Sequence, residues 1–329
     1  MEALTAYADI KVAQVGVGAW GANLVRNVDE LATLTWICDQ SRERLDALAR
    51  RYPSVRTTAD FDDVLSDPDV EAVVIATPVP THYALARSAL GAGKHVFVEK
   101  PPAMHAHEME ELVRLAEERG RVLMPGHLLL YHPGVHKLKE LVDSGSLGEV
   151  LCVYGNRQNL GTIRTNENAL WSLGVHDLSV ILHLIGEEPD EAWAHGNAFL
   201  TPGVEDVVFC YLRFPSGKIA HLHLSWLDPH KMRKLTVVGR DKMAVFDDME
   251  LERKVTVYEK APEQPAQSYG EWRTRTGDIF SPKIPNDEPL RLEMRHFLRL
   301  VRDGGDGREA RDGLLVVRVL ERLTDSLRG

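Results

Sequence analysis

The chain has 329 residues, 44% of them hydrophobic and 27% charged, with a formal charge of −10 at pH 7. That length is generous for one core and comfortable for two, and the composition is that of a folded globular protein rather than a fibre or a disordered tract. The acidic balance excludes a surface built to coat nucleic acid, which needs clustered Lys and Arg against phosphates, so any anionic ligand must meet locally placed positive groups.

From residue 10 to about residue 130, short β-branched runs (IKVAQVGV, LTWICD, VEAVVIATP, KHVFVEK, RVLMPGHL) alternate with helical stretches. SRERLDALARRY has Ser41 as its N-cap, and THYALARSALGAG has Thr81 as cap and Gly91 or Gly93 as stop. Strand, helix, strand repeated this way predicts right-handed crossovers and a doubly wound parallel sheet. After Pro125 the rhythm changes. HPGVHKLKELVDSG and WSLGVHDLSVILHLIG read as helices, the first ended by Gly145, and strands follow from Glu191 to Lys260. Turn residues Pro-Ser-Gly-Lys and Gly-Arg-Asp-Lys predict antiparallel pairing of the strands beside them. The proline-rich stretch from Ala261 to Pro289 reads as an extended arm, and two helices, LRLEMRHFLRLVRD and ARDGLLVVRVLERL, close the chain. The first domain is placed at residues 1–125 and the second at 126–329, with the closing helices left free to pack back on the first.

The first strand runs into VGVGAWG, where Gly16, Gly18 and Gly21 precede a helix. A dinucleotide needs this order: one glycine for the tight turn, one for close approach of the pyrophosphate, one for helix against strand, with the positive helix end facing the phosphates. The glycines alone are a weak signal. Asp39, ending the second apolar strand 18 residues beyond Gly21, strengthens it, because a carboxylate near that offset accepts the ribose hydroxyls. The same carboxylate would repel a 2′-phosphate, so NAD is favoured over NADP, although Ser41 and Arg42 just beyond suit a phosphate. HVFVEKPPA then places Glu99, Lys100 and Pro101 at the end of the fifth strand, where ligands of open parallel sheets collect.

The GxGxxG start, Asp39, IATP at 75 to 78, the helix opening at His82 and above all GKHVFVEKP resemble the Gfo/Idh/MocA oxidoreductases along the whole chain. The resemblance implies a fold: an α/β N-terminal Rossmann domain followed by an α+β domain with an open, mostly antiparallel sheet. It also implies that Gly16, Gly18, Ala19, Trp20, Gly21, Asp39, Ser41, Thr77, Pro78, His82, Glu99 and Lys100 line the cofactor, that Lys100 is catalytic, and that Lys100-Pro101 is cis. A histidine in a DxGxHxxD-like motif of the family matches His176 in WSLGVHDLSVIL, with Ser172 in place of the upstream acid and Asp177 directly after the histidine. GHLLLYHP, NRQNLGTIRTNENALWSLGVHDLS and MAVFDDME resemble the family's UDP-N-acetylglucosaminuronate 3-dehydrogenases. That branch implies an NAD-dependent dehydrogenase oxidising the C3 hydroxyl of a nucleotide-linked sugar.

Oxidising a secondary alcohol needs its hydrogen held close to the nicotinamide and a base for the hydroxyl proton. A histidine ordinarily changes charge near neutrality, so His176 is the natural base, and Lys100 can donate to the oxygen as it becomes alkoxide-like; the two roles can also be exchanged. The substrate's pyrophosphate and carboxylate suit the guanidinium forks of Arg157 and Arg164. His127, Tyr131, His132, Asn159, Asn168, Trp171 and Asp177 complete the candidate substrate contacts. Two other functions stay open: an NAD(P)H-dependent 3-ketosugar reductase on a deoxysugar nucleotide, and an NAD-binding regulator without turnover.

No metal is expected, since His105, His107 and Glu108 lack HExxH spacing and a third ligand. Cys38, Cys152 and Cys210 lack CxxC spacing and read as reduced small hydrophobes. No apolar run approaches the roughly 18 residues of a membrane span, and MEALTAYADIKV lacks the basic and long apolar regions of a leader, so a cytoplasmic protein is expected. Family resemblance further implies a homodimer or homotetramer through the C-terminal sheet, with Leu222, Leu224 and Trp226 as candidate interface residues.

Overall fold

The computed structural model describes residues 7–263 and 272–328, which form two compact units. The first comprises residues up to Leu128 together with Glu288–Arg318, and the second Leu129–Asp287 with the chain from Val319 onward.

In the first unit β1 (Tyr7–Val15) leads to α1 (Gly21–Leu31), β2 (Ala32–Cys38) to α2 (Arg42–Arg51), and β3 (Arg56–Thr58) to α3 (Phe61–Ser66). β4 (Ala72–Ile75), α4 (His82–Gly91), β5 (His95–Glu99), α5 (Ala106–Arg119) and β6 (Leu123–Gly126) complete the alternation. The strands pair in parallel in the order β3-β2-β1-β4-β5-β6. All four residues of β4 are buried, as are Val96, Phe97 and Val98 of β5, so these strands read as continuous apolar runs rather than alternating ones. The sheet order reverses direction between β1 and β4, and the loops at the carboxyl ends of those strands bound the crevice where such sheets bind ligands.

Local signals account for most boundaries. The Ser41 hydroxyl accepts from the Arg44 N–H and caps α2, and Gly120 ends α5 in the left-handed region at φ +60°. Thr81 stands before α4 without capping it. Its hydroxyl donates to Pro78 O at 2.7 Å, because Val79–Thr81 is already a 3₁₀ turn feeding the helix. β3 has three residues, too few for a periodic signal.

In the second unit α6 (Pro133–Asp143), β7 (Val150–Gln158) and α7 (Val175–Ile185) precede β8 (Glu191–Asn197), β9 (Val207–Arg213), β10 (Ile219–Ser225), β11 (Met232–Gly239), β12 (Met243–Asp247), β13 (Val255–Glu263) and β14 (Arg273–Phe280). Their order is β14-β13-β12-β11-β7-β10-β9-β8, antiparallel at every junction except β7 with β10. Both predicted turns join antiparallel neighbours, β9 with β10 and β11 with β12. The stretch read as an arm instead holds most of an edge ribbon: β14 pairs with β13, and every residue of β14 is exposed. The remainder of that stretch over 264–271 lies outside the described residues. α8 (Pro289–Asp303) belongs to the first unit, and α9 (Arg308–Arg328) contributes to both.

Alternation along β10 decides which sheet face is open. Leu222, Leu224 and Trp226 are buried, with Leu222 against Gly155 and Leu224 against Gly174, so the unit's own elements cover them and they are not surface residues. The opposite face carries His221 stacked on Tyr154, His223 stacked on Phe209, and Trp193 beside Tyr211. A one-residue step moves a side chain to the other face of a strand.

Candidate active site

The glycine loop after β1 is built by close approach. Gly16 has φ +84°, and a Cβ there would sit 2.6 Å from Ala76 O, so only glycine lets the β1 loop lie against the end of β4. A Cβ on Gly21 would fall 2.2 Å from Gly16 O, fixing the start of α1 over the turn. Gly18 differs: nothing lies within 4 Å of its would-be Cβ, which leaves open space on the side where a pyrophosphate approaches. Asp39 stands beside this loop, its Oδ2 accepting from the Val17 N–H and its Oδ1 from the Ser41 N–H, both at 2.7 Å, with Arg44 at 3.5 Å from Oδ1. Glycines without room for a side chain, one open glycine, a helix N-terminus without a side-chain cap and a carboxylate directly after β2 fit an NAD cradle. Trp20, 42% exposed, donates its indole N–H to Glu99 Oε1, so two residues expected as separate cofactor contacts form one hydrogen-bonded pair.

The ends of β4, β5 and β6 carry the other candidate residues of the first unit. Lys100-Pro101 is cis. His82 is 1% exposed and its ring nitrogens lie 2.8 Å from Pro101 O and 2.7 Å from Thr77 O, so the ring is wedged between the two strand-end loops and, when neutral, donates to one of these carbonyls. Burial depresses the His82 pKa, against the pull of those carbonyls. His127 directly follows β6, whose last residue Gly126 pairs with Glu99. It is 4% exposed, and neither ring nitrogen has a partner. Burial first and the Lys100 charge second push its pKa down to about 4, so at neutral pH it is an uncharged imidazole.

The second unit holds His176 near the start of α7, directly after the π-helical turn Leu170–Gly174. Five expected substrate contacts are committed elsewhere. Arg157 and Asp177 form a buried bidentate pair, Nε to Oδ2 at 2.7 Å and Nη2 to Oδ1 at 2.9 Å, so neither presents its charge to a ligand. The indole of Trp171 donates to Thr324 Oγ1 at 2.9 Å and is buried against α9. His132 caps α6, its Nδ1 accepting from the Gly134 N–H at 2.9 Å while its ring meets Phe246 edge to face. Asn168 is likewise spent, accepting from the Trp171 N–H and donating to Glu205. Arg164 is exposed and paired with Glu167 at 2.8 Å, Asn159 donates its backbone N–H to Ser225 O, and Tyr131 closes the 3₁₀ turn Leu128–Tyr131. The sequence reading passed over Glu293, a fully buried carboxyl on the apolar face of α8; its signal was a glutamate at helical spacing among Leu290, Met294 and Phe297.

Two family models match the chain: "Oxidoreductase family, NAD-binding Rossmann fold" over residues 10–127, and the GFO/IDH/MocA C-terminal domain over residues 135–245. The chain belongs to the Gfo/Idh/MocA oxidoreductase family. A 2,7-anhydro-N-acetylneuraminate hydratase of Escherichia coli is 31% identical over 63% of this chain and 59% of its own length. A UDP-N-acetylglucosamine 3-dehydrogenase of Acidithiobacillus ferrooxidans is 29% identical over 71% of this chain and 72% of its length. A solved structure carrying that dehydrogenase's name, from the same organism, superposes with a TM-score of 0.82 at 24% identity, covering 97% of each chain, which supports the fold. This chain spans about 59 to 64% of the length of the first curated relatives it matches. The first unit is therefore the family's NAD-binding Rossmann fold. Among the described residues no helix is long and apolar enough to cross a membrane.

Proposed function

We propose that this chain is an NAD-dependent dehydrogenase that oxidises the C3 hydroxyl of a nucleotide-linked sugar, with UDP-N-acetylglucosaminuronate as the preferred substrate. The observation that carries this reading is the conjunction, in one unit, of an open glycine cradle with Lys100 directly after β5, whose last residue Glu99 accepts from Trp20 of the glycine loop. The similarity to a UDP-N-acetylglucosamine 3-dehydrogenase supports the choice of substrate class.

Gly16, Gly18 and Gly21 would receive the pyrophosphate, Asp39 the adenosine ribose, and Glu99 with Lys100 the nicotinamide end. Bound NAD supplies the hydride acceptor. This chain's residues handle the proton. The Lys100 ammonium donates a hydrogen bond to the carbinol oxygen as negative charge develops there, and His176 accepts the hydroxyl proton; the exchanged assignment, with Lys100 as base, uses the same two groups. His127, held neutral by burial, adds no charge beside Lys100 and preserves the field of the ammonium. Arg157 leaves the set of anion-binding candidates, and Arg164 remains for the substrate's phosphate or carboxylate. The open sheet face bearing Trp193, Phe209, Tyr211, His221 and His223 serves a homodimer or homotetramer.

The test is a panel of UDP-, TDP- and GDP-linked uronates and hexoses with NAD or NADP, followed by absorbance of the reduced cofactor. The expected result is turnover with NAD that requires the uronate carboxylate and falls by orders of magnitude in Lys100→Met and His176→Asn. Indifference to the carboxylate, with activity only as a reductase, supports the 3-ketosugar reductase. Cofactor binding with no hydride transfer to any sugar nucleotide supports the regulator. Near-normal turnover in both variants refutes the residue assignment.

A further inference from the structure

The first unit buries a carboxyl that the chemistry above does not use. Glu293 is fully buried in the apolar face of α8, and neither of its oxygens has a hydrogen-bond partner. An ionised carboxylate without a donor is not sustained in an interior, so the group holds a proton.

The geometry of α8 and β5 identifies its neighbour. On β5, Phe97 and Glu99 point to the same face of the sheet; on α8, Phe297 and Glu293 lie one turn apart on the same stripe. The rings of Phe97 and Phe297 meet edge to face with centroids 5.8 Å apart. Arg26 pairs with Glu288 and, one turn on, Glu30 with Arg291, so α8 runs with α1 and against the strands. Two strand residues and one helical turn each advance roughly 6 Å, so the contact that joins the phenylalanines places the two carboxyls at the same end of it. After burial, the charge of Glu99 is what pushes the Glu293 carboxyl well above its ordinary range. The two ends differ in their donors. Glu99 accepts from the Trp20 indole and from the Lys100 N–H at 3.2 Å, which suits a carboxylate, whereas Glu293 has none, which suits an acid.

The remaining charges around this wedge are balanced. Arg26 and Glu30 on α1 pair with Glu288 and Arg291 on α8. Apart from those pairs, the buried polar side chains of β1 and α1 are uncharged amides, Gln14 and Asn27, each with an unpartnered carbonyl oxygen. His127 at the end of β6 is neutral. Lys100, next to Glu99 in the chain, is the cation at the strand end.

We propose that Glu99 and Glu293 form a carboxyl pair that keeps one proton while the nicotinamide is oxidised and takes up a second from solvent when it is reduced, coupling the redox state of the bound cofactor to proton binding. This rests on the reading above that the end of β5 faces the nicotinamide. The oxidised ring carries a positive charge that a singly ionised pair compensates. The reduced ring is neutral, and the pair then relieves its own buried charge by binding a proton. No bond to the cofactor is made or broken in this exchange, and the proton comes from water.

The sign of the linkage follows. Lowering the pH favours the doubly protonated pair and hence NADH, so the ratio Kd(NAD)/Kd(NADH) rises as pH falls, by about tenfold per pH unit where the linkage is steepest. Calorimetric titration of the full chain with NAD and with NADH, in two buffers of different ionisation enthalpy, counts the protons. Wild type is expected to take up close to one more proton with NADH than with NAD, and Glu99→Gln, which removes the carboxylate that receives it, to show no difference and a pH-independent ratio. Equal proton uptake for both cofactors in wild type, or a wild-type difference retained in Glu99→Gln, overturns the pair while leaving the cofactor site intact. Failure of wild type to bind either cofactor overturns the cofactor reading and the pair with it. Should Glu99→Gln not fold or not bind cofactor, the wild-type proton count decides.

Discussion

Asp177→Ala removes one partner of the most enclosed ion pair described in the second unit. Its carboxylate and the Arg157 guanidinium meet through two bonds of 2.7 and 2.9 Å, with side chains 7% and 5% exposed for Arg157 and Asp177. Without Asp177 the guanidinium stays in the interior uncompensated, a loss of about 3–5 kcal/mol. Folded domains typically hold about 5–15 kcal/mol in total, so roughly a fifth or more of the stability is at risk. Replacing both partners by apolar residues of similar volume, Arg157→Met with Asp177→Leu, removes the charge as well as the bond and should come within about 1–2 kcal/mol of wild type. Urea denaturation of wild type, both single variants and the double variant closes the cycle, and the expected result is a strongly non-additive double. Single losses under about 1 kcal/mol, or a double variant as unstable as the sum of the singles, would refute the reasoning. Asp177 directly follows His176 in the first turn of α7, so Asp177→Ala should also lower turnover beyond what its stability loss explains.

Further expectations concern the first unit. Gly18→Ala, with nothing within 4 Å of the new methyl, should change the melting temperature little yet weaken NAD binding, whereas Gly21→Ala, whose methyl would meet backbone at 2.2 Å, should lower both; fluorescence melts and cofactor titrations separate the two. His127 has a folded pKa of about 4 against an ordinary 6.5. A depressed histidine contributes stability that is present above pH 6.5 and lost as pH falls toward 4, on the order of 3 kcal/mol at most. Acid melts of His127→Phe should therefore be flatter than wild type over that window, and an unchanged profile would contradict its burial as a neutral ring. His95, also pushed to about 4 by burial and by Arg121, keeps its own share of the acid sensitivity in that variant. Glu293 titrates the opposite way: its raised pKa makes stability fall as pH rises from the ordinary carboxylate range through the folded value, and Glu293→Gln should remove that alkaline loss in melts at increasing pH.

How much was legible in the sequence depends on the range of the interaction that decides each feature. Continuous apolar runs, Gly16 and Gly21 at their spacing, the Ser41 cap, and the two hairpin turns are set by neighbours within a few residues, and they determined the parallel sheet, the cradle and the antiparallel pairing. Side-chain partners are set across the fold. Arg157 and Asp177 lie 20 residues apart, Trp171 and Thr324 lie 153 apart, and Trp20 and Glu99 lie 79 apart. A sequence shows that Arg157 carries charge but not that β7 and the first turn of α7 bring a carboxylate to both of its nitrogens. The same holds for His82, whose two nitrogens lie against backbone carbonyls, and for the β10 face, where alternation was visible but not which side the helices would cover. Tertiary structure alone decided which polar groups were already satisfied. In an interior that tolerates few unpaired polar atoms, most such groups find a partner, and that partner is chosen by packing rather than by proximity along the chain.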